Sequence, residues 1–176
     1  IEFKFWKAYA IHMRPYLLFL SGIAGLSGMA IAVDFQITQP THILAGLSFF
    51  LAYGFGQALT DTWQVDTDRI SSPYRPLSQD IITVLDVRSV SLIGLILCAG
   101  IFIYLNSCNI LFGALSILGL ATYSYVKKHY WFGGPFHNAS IVALLPLMGY
   151  LAVDQGGLNS LKNVELSLTV LLNFFA

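Results

Sequence analysis

Six stretches of this sequence, at about 16–34, 42–59, 89–105, 109–126, 138–153 and 160–176, are apolar and carry few charges. Each is near the roughly 20 residues a helix needs to cross a bilayer. Inside hydrocarbon the backbone must satisfy its own hydrogen bonds, so apolar runs of this length are read as helices. Only 10% of the 176 residues are charged, against about 25% in a soluble domain. The expectation is an all-α integral membrane protein, multi-pass, with about six transmembrane helices. No linker, low-complexity tract or shift of composition divides the chain, so 1–176 reads as one transmembrane domain. The first and last spans have the softest bounds: Gly22, Gly25 and Gly28 lighten one, and the other runs to the chain end.

The positive charges orient this array. With the N-terminus cytoplasmic, Lys4, Lys7, Arg14, Arg69, Arg75, Arg88, Lys127 and Lys128 all fall on the cytoplasmic side, and Lys162 falls outside. That is the distribution of the positive-inside rule. Three short connections, Phe35–Thr41, Asn106–Asn109 and Asp154–Ser160, then face outward. The two long polar ones, Asp61–Arg88 and Lys127–His137, face the cytoplasm, and the site is expected there. Formal net charge is zero, which excludes the basic footprint of a nucleic-acid binder. The N-terminal segment has no small-residue cleavage site and is followed by further spans, unlike a secretory signal. Cys98 and Cys108 lie in or beside spans without metal-like spacing and read as small apolar packing residues. The chain opens on Ile1 and its last residues read as the middle of a helix, so it is expected to be part of a longer protein.

Residues 57–77, Gln-Ala-Leu-Thr-Asp-Thr-Trp-Gln-Val-Asp-Thr-Asp-Arg-Ile-Ser-Ser-Pro-Tyr-Arg-Pro-Leu, hold three of the nine acidic residues: Asp61, Asp66 and Asp68. Carboxylates at the mouth of an apolar span are costly unless they bind something. Mg²⁺ shared with a phosphate is one such partner, since hard cations take oxygen ligands and share them with substrate phosphates. A solvated loop is the other reading of the acids alone. If the second span continues as a helix over 58–69, Asp61, Gln64 and Asp68 stand at i, i+3 and i+7 on one face. Asp66 then points about 140° away from Asp61. Across the cytoplasmic face, the adjacent Lys127 and Lys128 suit either membrane anchoring or a diphosphate, which needs cationic donors.

The segment resembles the first aspartate-rich region of the UbiA superfamily of intramembrane prenyltransferases, whose pattern is N-D-x-x-D-x-x-x-D followed by an Arg-Pro-Leu/Ile element. Asp61 matches the second position, Asp68 the last, and Arg75-Pro76-Leu77 the downstream element. Ser-Ser-Pro-Tyr-Arg-Pro-Leu is similar to the corresponding segment of the chlorophyll-synthase branch. Thr60 stands in place of the family's Asn and Gln64 in place of its central Asp, which lowers the negative charge; Asp66 could compensate. Tyr123 with Lys127 fits the family's Y-x-x-x-K element. The resemblance runs from about Arg14-Pro15 to the end of the fifth span.

That resemblance implies a UbiA-type helical bundle of nine spans around a central cavity, with a second aspartate-rich segment after the sixth. It implies transfer of an isoprenoid chain from a prenyl diphosphate to an aromatic or other lipophilic acceptor, with Mg²⁺ assisting departure of the diphosphate. Asp61, Gln64, Asp68 and Asp66 are the implied metal ligands. Lys127, Lys128, Arg75 and Arg14 are the implied diphosphate contacts, although a lone arginine in the place of Arg14 is more often an interfacial anchor. Tyr123 is placed near the reacting prenyl carbon, with Trp63 as a second aromatic that can face the allylic cation. A membrane terpene cyclase and a non-enzymatic subunit retaining the fold are the alternatives. His12, His42, His129 and His137 are scattered and suggest no metal site, Asn138 reads as a helix cap or a substrate contact, and Gly133-Gly134-Pro135 as a turn into the fifth span.

Overall fold

Proline and short polar side chains punctuate the chain into helices in the computed structural model, which describes residues 3–36, 39–130, 132–154 and 156–175, the side chains of Ser124 and Lys128 excepted. In chain order these are α1 (Phe3–His12), α2 (Pro15–Ala32), α3 (Pro40–Asp61), α4 (Val65–Ser71), α5 (Val84–Leu105), α6 (Asn109–His129), α7 (Gly133–Val153), a 3₁₀ turn over Gly157–Lys162, and α8 (Val164–Phe175). Pro15 and Pro40 each occupy a first helical turn, where the missing N–H costs nothing. Thr83 Oγ1 caps α5 by accepting from Asp86 N–H at 3.1 Å, and Asn163 Oδ1 accepts from Leu166 N–H at 3.1 Å at the head of α8.

Among the described residues, five helices are long and apolar enough to cross a membrane: α2, α3, α5, α6 and α7. The sixth apolar run forms the twelve-residue α8. Their outer faces carry large exposed hydrophobics such as Phe19, Ile23, Leu47, Ile93, Ile96 and Leu118, the surface expected where lipid replaces water as solvent. The chain is an integral, multi-pass membrane protein.

The helix α7 is central, packed against α2, α6 and α8, while α3 joins α2 to α5. The α2/α7 crossing is closest at glycines. A Cβ on Gly28 would fall 1.9 Å from the carbonyl oxygen of Pro146, and one on Gly149 would fall 2.0 Å from that of Gly25. With lipid as the competitor, such backbone proximity is what holds two spans together, because dispersion is lost steeply with distance. By contrast α5 and α6 touch lightly, leaving a cleft between the α3/α5 and α6/α7 pairs.

Two apolar clusters divide the interior. One, around Phe49, Met29, Phe102, Met148 and Leu151, fills the middle of the bundle. The second, Ala8, Tyr9, Met13, Ala58, Leu77, Ile82 and Val87, lies where α3 ends and α5 begins. It presses α1 and the 72–83 connection onto that end, and Tyr9 Oη meets Ser91 Oγ at 2.7 Å to fix α1 to α5. Burial pushes the Tyr9 hydroxyl pKa up, its hydrogen bond to Ser91 opposing. The second cluster is the platform for the polar site.

Candidate functional site

Asp61 is the last residue of α3, against the negative pole of that helix, where a carboxylate is disfavoured. Arg14 stands at the opposite disadvantage, just before the positive pole of α2. Each relieves the other: Arg14 Nη2 donates to Asp61 Oδ1 at 2.7 Å and to Oδ2 at 2.5 Å. Burial weakens the Arg14 cation, but the Asp61 charge and hydrogen bonds outweigh it and raise its pKa. Arg14 has φ 55, in the left-handed region, because one residue turns the chain between α1 and Pro15. A non-glycine residue held there stores strain, a pattern concentrated at functional sites.

The expected continuous helix over 58–69 is interrupted. Thr62, Trp63 and Gln64 N–H groups donate to Leu59, Thr60 and Asp61 carbonyls, each three residues back, tightening and closing α3. Thr62 Oγ1 also donates to Leu59 O at 2.7 Å. Arg88 Nε donates to Thr62 Oγ1 at 3.0 Å and Nη2 to Thr62 O at 3.4 Å, engaging a carbonyl that a continuing helix would use. α4 then restarts with Asp68 N–H on Gln64 O. Across the break Asp61, Gln64 and Asp68 nevertheless all turn inward and are buried. Asp66 is exposed, about 200° around α4 from Asp68, and the structure does not bring it to the cluster; as a metal ligand it is withdrawn.

A turn closed by Arg75 N–H on Ser72 O, with Leu77 buried beneath, points Arg75 back at the acids. Its Nη1 donates to Asp68 Oδ2 at 2.5 Å and lies 3.5 Å from Asp61 Oδ2, so one cationic nitrogen bridges both carboxylates. From the far side of the cleft, Lys127 Nζ at the end of α6 donates to Gln64 Oε1 at 3.2 Å. That ammonium also lies 5.8 Å from the Tyr123 ring centroid. Tyr123 stacks on His137 at 6.5 Å, and His137 Nε2 is fixed 2.9 Å from Gly119 O. The structure thus gathers Arg14, Asp61, Gln64, Asp68, Arg75, Tyr123 and Lys127. The Lys128 side chain lies outside the described residues. Trp63 is half exposed with the Arg88 guanidinium 5.6 Å from its ring, so its face is already taken by a cation. Asn138 lies inside α7 and is not its cap, and Gly133-Gly134-Pro135 is the first turn of that helix, the connection shrinking to 130–132.

Below this cluster the cleft between α3, α5, α6 and α7 encloses about 290 Å³. Gly56 and Leu120 line its upper part and Phe102 and Asn109 its far end, with Tyr53, Cys98 and Leu145 along the walls. An apolar groove with a charged cluster further along the same helices, past Gly56 and Leu120, is the shape of a binding site for an amphiphile.

Sequence reasoning missed two contributors. Arg88 was counted only as an orienting charge, yet it shapes the turn after Asp61. His12, the last residue of α1, is buried, and its Nε2 lies 3.9 Å from Asp61 Oδ2. Burial lowers its pKa, opposed by the Asp61 charge. The available signal was the spacing of Ala8, Tyr9 and His12, which places all three on one face of a short helix.

Three Asp, Glu, His or Cys side chains do not converge as a metal centre among the described residues. The donor set still fits a hard divalent cation that completes its shell on a ligand's phosphates: two carboxylates and an amide oxygen, with a positive nitrogen already bridging the carboxylates. Arg14, Arg75 and Lys127 against Asp61 and Asp68 leave the cluster one positive charge in surplus, which suits an anion.

Residues 19–176 match the family model described as the UbiA prenyltransferase family. Curated relatives are named digeranylgeranylglyceryl phosphate synthase. That of Thermococcus kodakarensis is 27% identical over 155 residues, 87% of this chain and 55% of the relative. Those of Methanococcus maripaludis and Methanococcus aeolicus are 31% and 33% identical, over 85% and 82% of this chain and 54% and 49% of theirs. The chain spans about half the length of the curated relatives it matches. A solved structure described as "Structural and mechanistic insights into the biosynthesis of Digeranylgeranylglyceryl phosphate synthase in membranes" has the same fold, with TM-score 0.81 and 22% identity over 96% of this chain and 60% of that one.

Proposed function

The chain belongs to the UbiA prenyltransferase family, and from that premise we propose that it transfers an isoprenoid chain from a prenyl diphosphate to a lipophilic acceptor, at the membrane's cytoplasmic face. The observation that carries this reading is one juxtaposition. Buried Asp61, Gln64 and Asp68, joined to half-buried Arg14 and Arg75 and to exposed Lys127, lie beyond the Gly56 and Leu120 end of an apolar cleft. A prenyl diphosphate has that polarity, charged at one end and apolar along the rest. The names of the relatives point to a glyceryl phosphate lipid as acceptor, and the cluster's surplus positive charge favours such an anionic lipid.

In this reading Lys127 and Arg75 bind the diphosphate oxygens, and charge-assisted hydrogen bonds to them strengthen as the allylic C–O bond breaks. Asp61, Gln64 and Asp68 would hold a divalent cation, proposed as Mg²⁺, which when bound neutralises charge developing on the leaving group. Arg14 keeps Asp61 oriented. The Tyr123 ring, beside Lys127, offers its face to the allylic carbon as positive charge develops there. The cleft walls keep water from that carbon, where it would otherwise intercept the chain.

The test uses detergent-purified protein with a prenyl diphosphate and measures diphosphate release and prenylated product. EDTA is expected to abolish both, and added Mg²⁺ to restore them. Full turnover in chelator removes the metal role, and absence of any prenyl transfer with aromatic and glyceryl phosphate acceptors removes the reading.

A further inference from the structure

His12 is 2% exposed, and neither ring nitrogen has a hydrogen-bond partner. Burying an imidazole with nothing to bond is unfavourable. The fold nonetheless holds it firmly: Tyr9, one turn earlier on α1, is buried and bonded to Ser91, and Met13 packs in the same cluster. A ring fixed so well and bonded to nothing points to a partner in another state of the site.

The groups around it identify that partner. Asp61 Oδ2 is approached by Arg14 at 2.5 Å, Arg75 at 3.5 Å and His12 at 3.9 Å. Arg14 is committed, donating to both oxygens from a backbone corner that fixes its direction. Arg75 is not: its hydrogen bond goes to Asp68, and it reaches Asp61 only across a longer gap. It is therefore the guanidinium less tightly held to Asp61, and the one that releases Asp61 on turning toward an incoming anion. Asp61 would then keep Arg14 but lose its second cationic neighbour while its side chain is only 6% exposed, and a further hydrogen-bond donor stabilises a buried carboxylate. His12 is about 1 Å beyond hydrogen-bond length from the oxygen that Arg75 leaves.

We propose that His12 is a positioning residue that takes over Asp61 Oδ2 through its ring N–H when Arg75 moves to a bound diphosphate, keeping the carboxylate aimed into the site. The identity of the anion rests on the prenyl-diphosphate reading; the hold of His12 on Asp61 does not.

Two measurements on the detergent-purified protein test this. The first is thermal unfolding without ligand for His12→Leu, Arg75→Gln and the double variant. Alone, His12→Leu is expected to shift Tm little. In the Arg75→Gln background, where His12 already serves Asp61, it lowers Tm further than the single variants sum to. His12→Asn, which keeps a donor, is expected to behave there like the parent histidine. Additive shifts overturn the proposal.

The second is calorimetric titration with inorganic diphosphate and Mg²⁺. His12→Leu is expected to weaken binding about fivefold, a loss of about 1 kcal/mol, with affinity recovered in His12→Asn. Unchanged affinity in His12→Leu overturns the proposal. Wild-type protein that binds no diphosphate but shows the non-additive Tm overturns the functional reading and leaves the partnership of His12 and Asp61 standing.

Discussion

At the scale of the residue, the site is a set of charges each out of place alone and acceptable together. Asp61 against a helix C-terminus, Arg14 before a helix N-terminus and Arg75 turned inward make one connected network. Removing one member of a buried pair strands the other, at a cost of about 3 kcal/mol. Arg14→Ala is therefore expected to lower stability as well as turnover, visible as a drop in Tm in detergent before any assay. Gln64→Asp is expected to tighten Mg²⁺ binding in a titration monitored by calorimetry, because it adds a third carboxylate beside two; equal affinity in variant and parent removes Gln64 from the ligand set. Asp68→Ala is expected to abolish turnover and Asp66→Ala to leave most of it, and the reverse pattern would transfer the role to Asp66. Asp61, Gln64 and Asp68 were legible as one face from i, i+3, i+7 spacing, and all three are buried although the helix breaks between them. The spacing could not reveal that Arg75 bridges the two carboxylates or that His12 stands by. Those facts depend on which distant helices meet, and no local periodicity encodes that.

At the scale of the element, helix starts were readable where proline marks them, at α2 and α3, whereas α5, capped by Thr83, begins at Val84 and not at the expected 89. The break over 62–64 has no proline or glycine to announce it. It follows from Thr62 bonding back to Leu59 and from Arg88, on another helix, bonding to Thr62. Arg88→Ala should loosen this turn, and faster proteolysis or hydrogen exchange over 59–68 would show it; unchanged protection would mean that the backbone alone sets the break. Likewise α1 is too short and too polar to register as a span, yet its buried face braces the site. The α2/α7 crossing gives a sharper expectation. A methyl at Gly28 or Gly149 has backbone oxygen in its way, so each alanine variant forces the helices apart. The cost should be about 1–3 kcal/mol, read as a lower Tm in detergent, whereas Gly100→Ala, with open space around it, should not destabilise.

At the scale of the whole molecule, every group of the proposed site lies at one end of the bundle, where α2, α5 and α7 begin and α3 and α6 end. The apolar runs made the membrane class and five of the six expected crossings legible, because hydrocarbon leaves the backbone few alternatives to a helix; the sixth run forms the twelve-residue α8. The cleft was not legible, since it arises from α5 and α6 failing to pack closely. The proposal that this end faces the cytoplasm rests on charge. Of the cations gathered there, Arg14 and Arg75 are half-buried beside buried carboxylates, so the orienting signal rests on exposed Lys4, Lys7, Arg69 and Lys127, against Lys162 at the opposite end. Four exposed cations against one support the proposed cytoplasmic site. Thr67 and Asn159 are both exposed, one on α4 beside the site and the other on the opposite connection. In a background with Cys108→Ser, a membrane-impermeant maleimide added to intact cells is expected to label Asn159→Cys at once and Thr67→Cys only after permeabilisation. Labelling of Thr67→Cys in intact cells would invert the protein and place the diphosphate-binding end outside, where a prenyl diphosphate made in the cytoplasm could not reach it.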